Sequence, residues 1–222
     1  SKYRTIPGCL GVYSLLGEDH PVTEIEEIIV GSDSLSAEDY ADCRTMNLIV
    51  ETFYNNSIFE EVFALVRFLG ISPFDCLVNL NEHQEWYSDK IRDVFAGFLE
   101  ETTNDLFDTL DAVKNYVLTP KILDRYVGGE LGTNELLLNR AQLFTQFEDS
   151  CKLIFKAVKE TLRESNLLSR EVGDYLEELE RFTVLRKKEP FTNTDVINIG
   201  RFKYDFEAIS ATDYHVDPNH YS

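Results

Sequence analysis

The chain has 222 residues, enough to bury one sizeable hydrophobic core, and its 43% hydrophobic and 27% charged residues are typical of folded proteins. Forty acidic residues against 21 basic ones give a formal net charge of −19. A surface this acidic repels phosphates and anionic lipid headgroups, so we expect no nucleic-acid and no membrane partner. No apolar run approaches the roughly 20 residues that a membrane-spanning helix requires.

The four cysteines lie too far apart in the sequence for a CxxC metal or redox motif; they are Cys9, Cys43, Cys76 and Cys151. Cys43 and Cys151 fall on the apolar stripes of predicted helices, which indicates buried free thiols. Because nothing resembles a disulfide framework, we expect a cytoplasmic location.

The N-terminal residues carry no initiator methionine, no apolar signal core and no transit pattern, and Met46 is the only methionine. We therefore expect a fragment of a longer polypeptide, although removal of a methionine before Ser1 remains open. A fragment can leave a strand edge uncovered, so we expect residues 1–13 to be disordered, swapped or held by a neighbouring copy.

The first predicted elements are irregular to β structure over residues 1–33, with a strand candidate at 27–31, followed by a helix. Ser36 is predicted to cap this helix, and Asp39 completes a capping box. The three- and four-residue spacing of the apolar side chains predicts the buried face of the helix, formed by Cys43, Met46, Val50 and Phe53.

The middle of the chain reads as a series of helices. The run 58–69 is apolar on nearly all sides, which predicts a buried helix. Caps and apolar spacing predict the later helices, which begin after Ser72, after Ser88, near Asp105, after Thr119, near Asn134 (running to 164) and after Ser169. We expect six to eight helices in all.

The C-terminal residues change pattern again. The runs 196–199 and 202–206 alternate as strands do. The predicted fold class is therefore mainly α, a helical domain with short β segments near both termini and less than about 15% strand.

A resemblance enters at residues 27–59. A strand candidate is followed there by GSDSLSAEDY at 31–40, by Arg44, and by an aromatic-Tyr-Asn end in which Val50, Glu51, Phe53, Tyr54, Asn55 and Phe59 keep a fixed order. This order resembles the region just C-terminal to the catalytic barrel of cobalamin-binding radical SAM proteins. YRTIPG at 3–8 resembles their last barrel strand, and FKYDF at 202–206 resembles a short motif near their C-termini. Residues 72–189 have no counterpart in it.

The resemblance implies three parts: residues 1–33 as the end of, or linker from, a preceding barrel domain; 34–190 as a helical C-terminal domain; and 191–222 as a short β segment and tail. It implies a non-catalytic domain that packs on or covers the barrel, with the preceding domains of the same polypeptide as its partners. A [4Fe–4S] cluster, S-adenosylmethionine and cobalamin are implied for the parent, a radical SAM enzyme. This chain lacks the CxxxCxxC cluster motif, so we expect it to hold no cofactor and no catalytic residue of its own.

Four polar residues lie on the helix that carries the resemblance: Arg44, Glu51, Tyr54 and Asn55. Arg44 and Glu51 share a face, because they are two helical turns apart. These residues are candidates for docking on the barrel or for facing its substrate, and a purely structural role stays open. We expect Arg44 and Tyr54 to lie nearer the barrel than residues 134–182 do.

Other readings remain beside this one. The chain could be a stand-alone acidic helical protein–protein interaction module, or a small enzyme with an unrecognised site. His215, Asp217 and His220 are competent metal ligands in kind, but a solvated tail is the simpler interpretation. Gly128, Gly129 and the residues after them could cradle an anion or form a plain helix–helix turn.

Overall fold

The computed structural model describes residues 1–188 and 200–212. The chain is mainly α-helical with a β-hairpin at its N-terminus, which confirms the predicted fold class. The elements in order are β1 (Lys2–Leu15), β2 (Glu18–Ile28), α1 (Ala37–Phe53), α2 (Glu60–Phe68), α3 (Pro73–Glu82), a 3-10 turn (Gln84–Trp86), α4 (Asp89–Asn104), α5 (Leu110–Val117), α6 (Pro120–Val127), α7 (Glu135–Thr145), α8 (Phe147–Glu164), α9 (Arg170–Lys187) and α10 (Phe206–Ala211).

The predicted helix count was too low, because the described residues form ten α-helices. The run 134–164, predicted as one helix, is divided into α7 and α8 at Gln146, whose backbone leaves the helical region at φ −105° and ψ 42°. The helix predicted over 105–117 begins only at Leu110, where the Thr109 side chain accepts a hydrogen bond from the Ala112 N–H.

The N-terminal hairpin is longer than the sequence indicated. β1 and β2 pair antiparallel from Lys2–Ile28 to Leu15–Glu18, with 14 and 11 residues, so strand content stays within the predicted limit. Residues 1–13 are not disordered, because 2–5 and 10–13 pair with β2; that they are swapped or held by a neighbouring copy stays a prediction. The period-two alternation of side chains along β1 is interrupted between Thr5 and Leu10, where four residues of β1 lie opposite Glu24 alone. This interruption obscured the strand in the sequence.

The C-terminal run 202–206 is not a strand. Tyr204 and Phe206 are buried, with ring centroids 4.9 and 5.4 Å from that of Tyr175 on α9. Asp205 caps α10 by accepting a hydrogen bond from the Ala208 N–H at 3.0 Å. The alternation therefore reflects aromatic packing. The other strand candidate, 196–199, lies outside the described residues, as do His215, Asp217 and His220.

The capping box of α1 is confirmed, but the predicted buried face was partly wrong. The Ser36 N–H donates to Asp39 at 2.8 Å, and the Asp39 N–H donates to Ser36 at 3.0 Å. Phe53 is fully buried, whereas Cys43 is exposed. The helix buries a neighbouring stripe that includes two threonines: Thr45, Leu48, Ile49, Thr52 and Phe53.

The chain divides into two compact units. The first unit comprises residues 1–45 and 95–139, and the second comprises 46–94 and 140–222. The second unit contains a stacked aromatic core in which the Phe59 ring centroid lies 5.8 Å from Phe53 and 5.9 Å from Phe147. The boundaries expected at 33 and 190 concern a preceding barrel and stay predictions.

Candidate functional site

Arg44, the first of the predicted site residues, is engaged within the first unit. Its guanidinium Nη2 donates to Glu135 Oε1 at 2.6 Å and its Cζ lies 5.2 Å from the centroid of the Phe98 ring. Only 13% of its side chain is exposed. Arg44 therefore fastens α1 to α7 in this structure.

The other three predicted residues lie in the second unit. The Glu51 carboxylate accepts hydrogen bonds from Arg140 and, at 3.0 Å, from the side-chain amide of Asn55. Tyr54 is 40% exposed, and its ring meets the Phe63 ring edge-on with centroids 5.5 Å apart. The structure thus brings Glu51 and Asn55 together, and Tyr54 and Asn55 are the exposed members of the four.

Asn56 closes the end of α1, where the turn preference of Asn55 and Asn56 predicts that the helix stops. Its side-chain amide donates to the carbonyls of Glu51 and Thr52 at 3.1 and 2.8 Å. Its Oδ1 accepts from the Ile58 N–H at 3.0 Å. The Asn-Asn end of the motif is therefore a helix stop, as its preference for turns predicts.

A charge network in the first unit was also missed. Arg4 on β1 donates to Glu26 on β2 at 2.6 Å and to Glu135 on α7 at 3.1 Å, so Glu135 binds both Arg4 and Arg44. Burial alone would lower the pKa of Arg4, but the bonds to Glu26 and Glu135 raise it overall. Arg4 and Glu26 are directly opposite in the hairpin register, so a correct hairpin prediction would have revealed this pair.

Close backbone contact joins the irregular part of β1 to the turn before α7. The Gly8 N–H donates to the Gly132 carbonyl at 2.7 Å, and both glycines have positive φ, 74° and 73°. A Cβ at Gly132 would lie 2.8 Å from the Tyr126 ring, so only glycine fits there. The Tyr126 hydroxyl lies 3.2 Å from Thr5 Oγ1; burial raises its pKa, and the Thr5 bond opposes that rise.

Two apolar recesses flank the hairpin in the first unit. The larger, with a cavity volume of about 520 Å³, is bounded by the irregular part of β1 and by the turn between α6 and α7. No residue that lines it within the described ranges carries a charge. The smaller, of about 230 Å³, lies between β2 and helices α5 and α6. Thr23 lines both recesses.

Exposed apolar side chains are concentrated on the first unit, although it is the smaller of the two. Among the described residues, eleven of its large hydrophobic side chains are exposed: Val12, Tyr13, Leu15, Leu16, Val22, Ile29, Leu110, Leu118, Val127, Leu137 and Leu138. In the described part of the second unit, which leaves out 189–199 and 213–222, three are exposed: Tyr54, Phe68 and Phe74. This part of the chain is therefore a candidate interaction surface.

The described residues offer little for metal or thiol chemistry. Residues 1–188 and 200–212 contain no group of three His, Cys, Asp or Glu side chains that could hold a metal ion. Burial raises the pKa of the Cys76 thiol to about 11, which keeps it protonated near neutral pH. No helix in the described ranges is both long and apolar enough to cross a membrane.

Comparison of the chain with protein-family models, with curated proteins and with solved structures finds no match. The functional interpretation therefore depends on the residues and their geometry.

Proposed function

We propose that this chain is the non-catalytic helical C-terminal domain of a cobalamin-binding radical SAM protein, and that it packs on the catalytic barrel preceding it in the same polypeptide. The observation that carries the docking role is the concentration of exposed apolar side chains on the first unit. The radical SAM parent is supported only by the resemblance of residues 27–59. The resemblance also implies that the barrel directly precedes or includes residues 1–33, which contain the hairpin.

The hairpin tip supports this role most directly. Leu16 is 98% exposed and Tyr13 is 66% exposed, so neither contributes much burial to the hairpin itself. Leu16 also has φ 55°, a conformation that costs a leucine about 1 kcal/mol or more. Fully burying one such side chain against a partner would contribute about 1.5–3 kcal/mol. Docking therefore accounts for residues that the hairpin does not need.

The proposal assigns different tasks to the predicted site residues. Arg44 and Glu51 hold the helices in place through Glu135 and Arg140, while Tyr54 is exposed enough to contact a partner. The cluster, S-adenosylmethionine and cobalamin belong to the preceding domains. All four cysteines are free, which supports a cytoplasmic location.

A stand-alone acidic helical interaction module is the alternative. The net charge of −19 favours it, because such a surface attracts a basic partner. The same exposed apolar side chains would then dock a separate protein. The coding sequence upstream of the Ser1 codon separates the two: a CxxxCxxC cassette in the same reading frame supports the barrel, and its absence supports the stand-alone module.

A binding experiment tests the docking role. The preceding domain is produced separately, and its affinity for this chain is measured by calorimetry. We expect Tyr13→Asp to weaken binding about tenfold or more, because a charge replaces a buried ring. Phe68→Asp is the matched control, since Phe68 is similarly exposed, at 52%, but lies in the second unit. Equal effects of the two substitutions would overturn the proposed surface.

A further inference from the structure

The two edges of the hairpin differ in their backbone hydrogen bonds. The outer edge of β1 is occupied: Tyr3 and Phe107 exchange two backbone hydrogen bonds of 2.8 Å, and Gly8 bonds Gly132. Among residues 1–188 and 200–212, no backbone group of β2 bonds any main-chain group beyond β1. An open strand edge is a pairing site that proteins normally cover.

The register identifies which groups of β2 are open. Because Tyr3 uses both its N–H and its C=O with Phe107, the Tyr3–Glu27 pair is not hydrogen-bonded within the hairpin. The N–H and C=O of Glu27 therefore point away from β1, and alternation along β2 directs those of Ile25 and Thr23 the same way. Pro21 falls in this set, where its missing N–H leaves the hairpin ladder intact.

The smaller recess lies beside this open edge. It is lined by Val22, Thr23 and Ile25 of β2, by Lys114 and Val117 of α5, by Leu118 and by Leu123 of α6; Lys114 is its one charged lining residue within the described ranges, and no residue of β1 contributes. At its margin Val22 is 48% and Leu118 is 65% exposed. A strand added outside β2 would place alternate side chains over this recess, so aliphatic residues fit those positions.

The acidic residues of β2 determine which residue types suit the other face of an added strand. Alternation places Glu18, Glu24 and Glu26 on the face of β2 opposite to Thr23 and Ile25. Glu26 is paired with Arg4, but Glu18 and Glu24 have no cationic side chain within ion-pair distance in the described part of the chain. Directly opposed like charges destabilise strand pairing, so a second copy of this acidic edge is disfavoured. Lysine or arginine on the incoming strand would be favoured.

We infer that the outer edge of β2 takes up an extended strand in which aliphatic residues alternate with lysine or arginine. This inference rests on the proposed function, because it assigns the strand to the domain on which the chain docks. The added strand bonds the backbone of Thr23, Ile25 and Glu27. It covers the smaller recess with its aliphatic side chains, and it pairs a cation with Glu24 on the opposite face.

The test uses a short peptide of alternating lysine and valine, with a peptide of alternating glutamate and valine as its control. Amide hydrogen exchange of the intact chain is measured with each. With the basic peptide we expect exchange at Thr23, Ile25 and Glu27 to slow about tenfold or more. Little change is expected at Glu24 and Glu26, whose N–H groups face β1. Equal protection by both peptides, or protection elsewhere, would overturn the inference.

Two variants sharpen the test. Thr23→Pro removes an outward N–H without touching the hairpin ladder and should abolish peptide protection, whereas Thr23→Val should retain it. Glu24→Lys should weaken the preference for the basic peptide over the acidic one, and an unchanged preference would contradict the inference. If Tyr13→Asp weakens docking but the basic peptide protects nothing, the docking surface stands and the strand addition fails. If the peptide protects β2 but Tyr13→Asp and Phe68→Asp weaken docking equally, the strand addition stands and the docking surface fails.

Discussion

Replacing Leu16 by asparagine should stabilise the hairpin. Leu16 and Gly17 form a two-residue connection with φ of 55° and 85°, the signs of a type I′ turn, for which Asn-Gly is the preferred pair. The leucine is 98% exposed, so its removal sacrifices almost no burial. A left-handed residue other than glycine costs about 1–2 kcal/mol, and asparagine tolerates that conformation better. We therefore expect the hairpin to gain about 0.5–1 kcal/mol.

Native-state hydrogen exchange of the β1 and β2 amides measures this gain, because it reports the local opening free energy of the hairpin. Asn166 provides a control for the opposite substitution. It is exposed and has φ 58°, and asparagine is a residue that tolerates this left-handed conformation. Asn166→Leu should destabilise its own turn by a similar amount. Faster exchange in the hairpin of Leu16→Asn would refute the reasoning. By the docking proposal, the same variant should bind the preceding domain more weakly despite its greater stability.

Three further predictions concern the first unit. Glu135→Gln leaves Arg4 and Arg44 without their shared carboxylate and should lower the free energy of unfolding by about 3 kcal/mol in urea denaturation; an unchanged midpoint would contradict it. Gly132→Ala should cost about 1–3 kcal/mol, because its φ is positive and its Cβ would press on the Tyr126 ring. The hydrogen bonds of the capping box lower the pKa of Asp39, with the backbone N–H of Ser36 as the main cause. The ionised Asp39 side chain therefore stabilises the protein fully above the unfolded pKa of 3.8, and this stabilisation is lost as the pH falls further. The difference in the free energy of unfolding between wild type and Asp39→Asn should shrink below that pH.

Local signals in the sequence predicted several helix starts correctly. The Ser36–Asp39 box, Ser72 before a proline and Ser169 each bond an amide within three residues, so a short window contains the whole interaction. The charge network could not be read in this way. Glu135 lies 131 residues from Arg4 and 91 from Arg44, and no local pattern connects positions so far apart.

Two errors have identifiable physical causes. The hairpin was missed because the four residues 6–9 oppose one residue of β2, which shifts the alternation on which strand prediction depends. The face of α1 was misread because apolar spacing favoured Cys43, whereas the structure buries Thr45 and Thr52 in the adjacent stripe. Threonine can be buried in a helix when its hydroxyl bonds a preceding carbonyl, as Thr45 does with Ala41 at 3.1 Å.

The central claim is that the hairpin tip and the first unit dock on another domain of the same polypeptide. Side-chain footprinting by hydroxyl radicals, compared between this chain alone and the full polypeptide that its gene encodes, tests it directly. The account predicts that Tyr13, Leu15 and Leu16 lose most of their labelling in the full polypeptide, while Phe68 and Phe74 keep theirs. Equal labelling of Tyr13 and Leu16 in both proteins would contradict it.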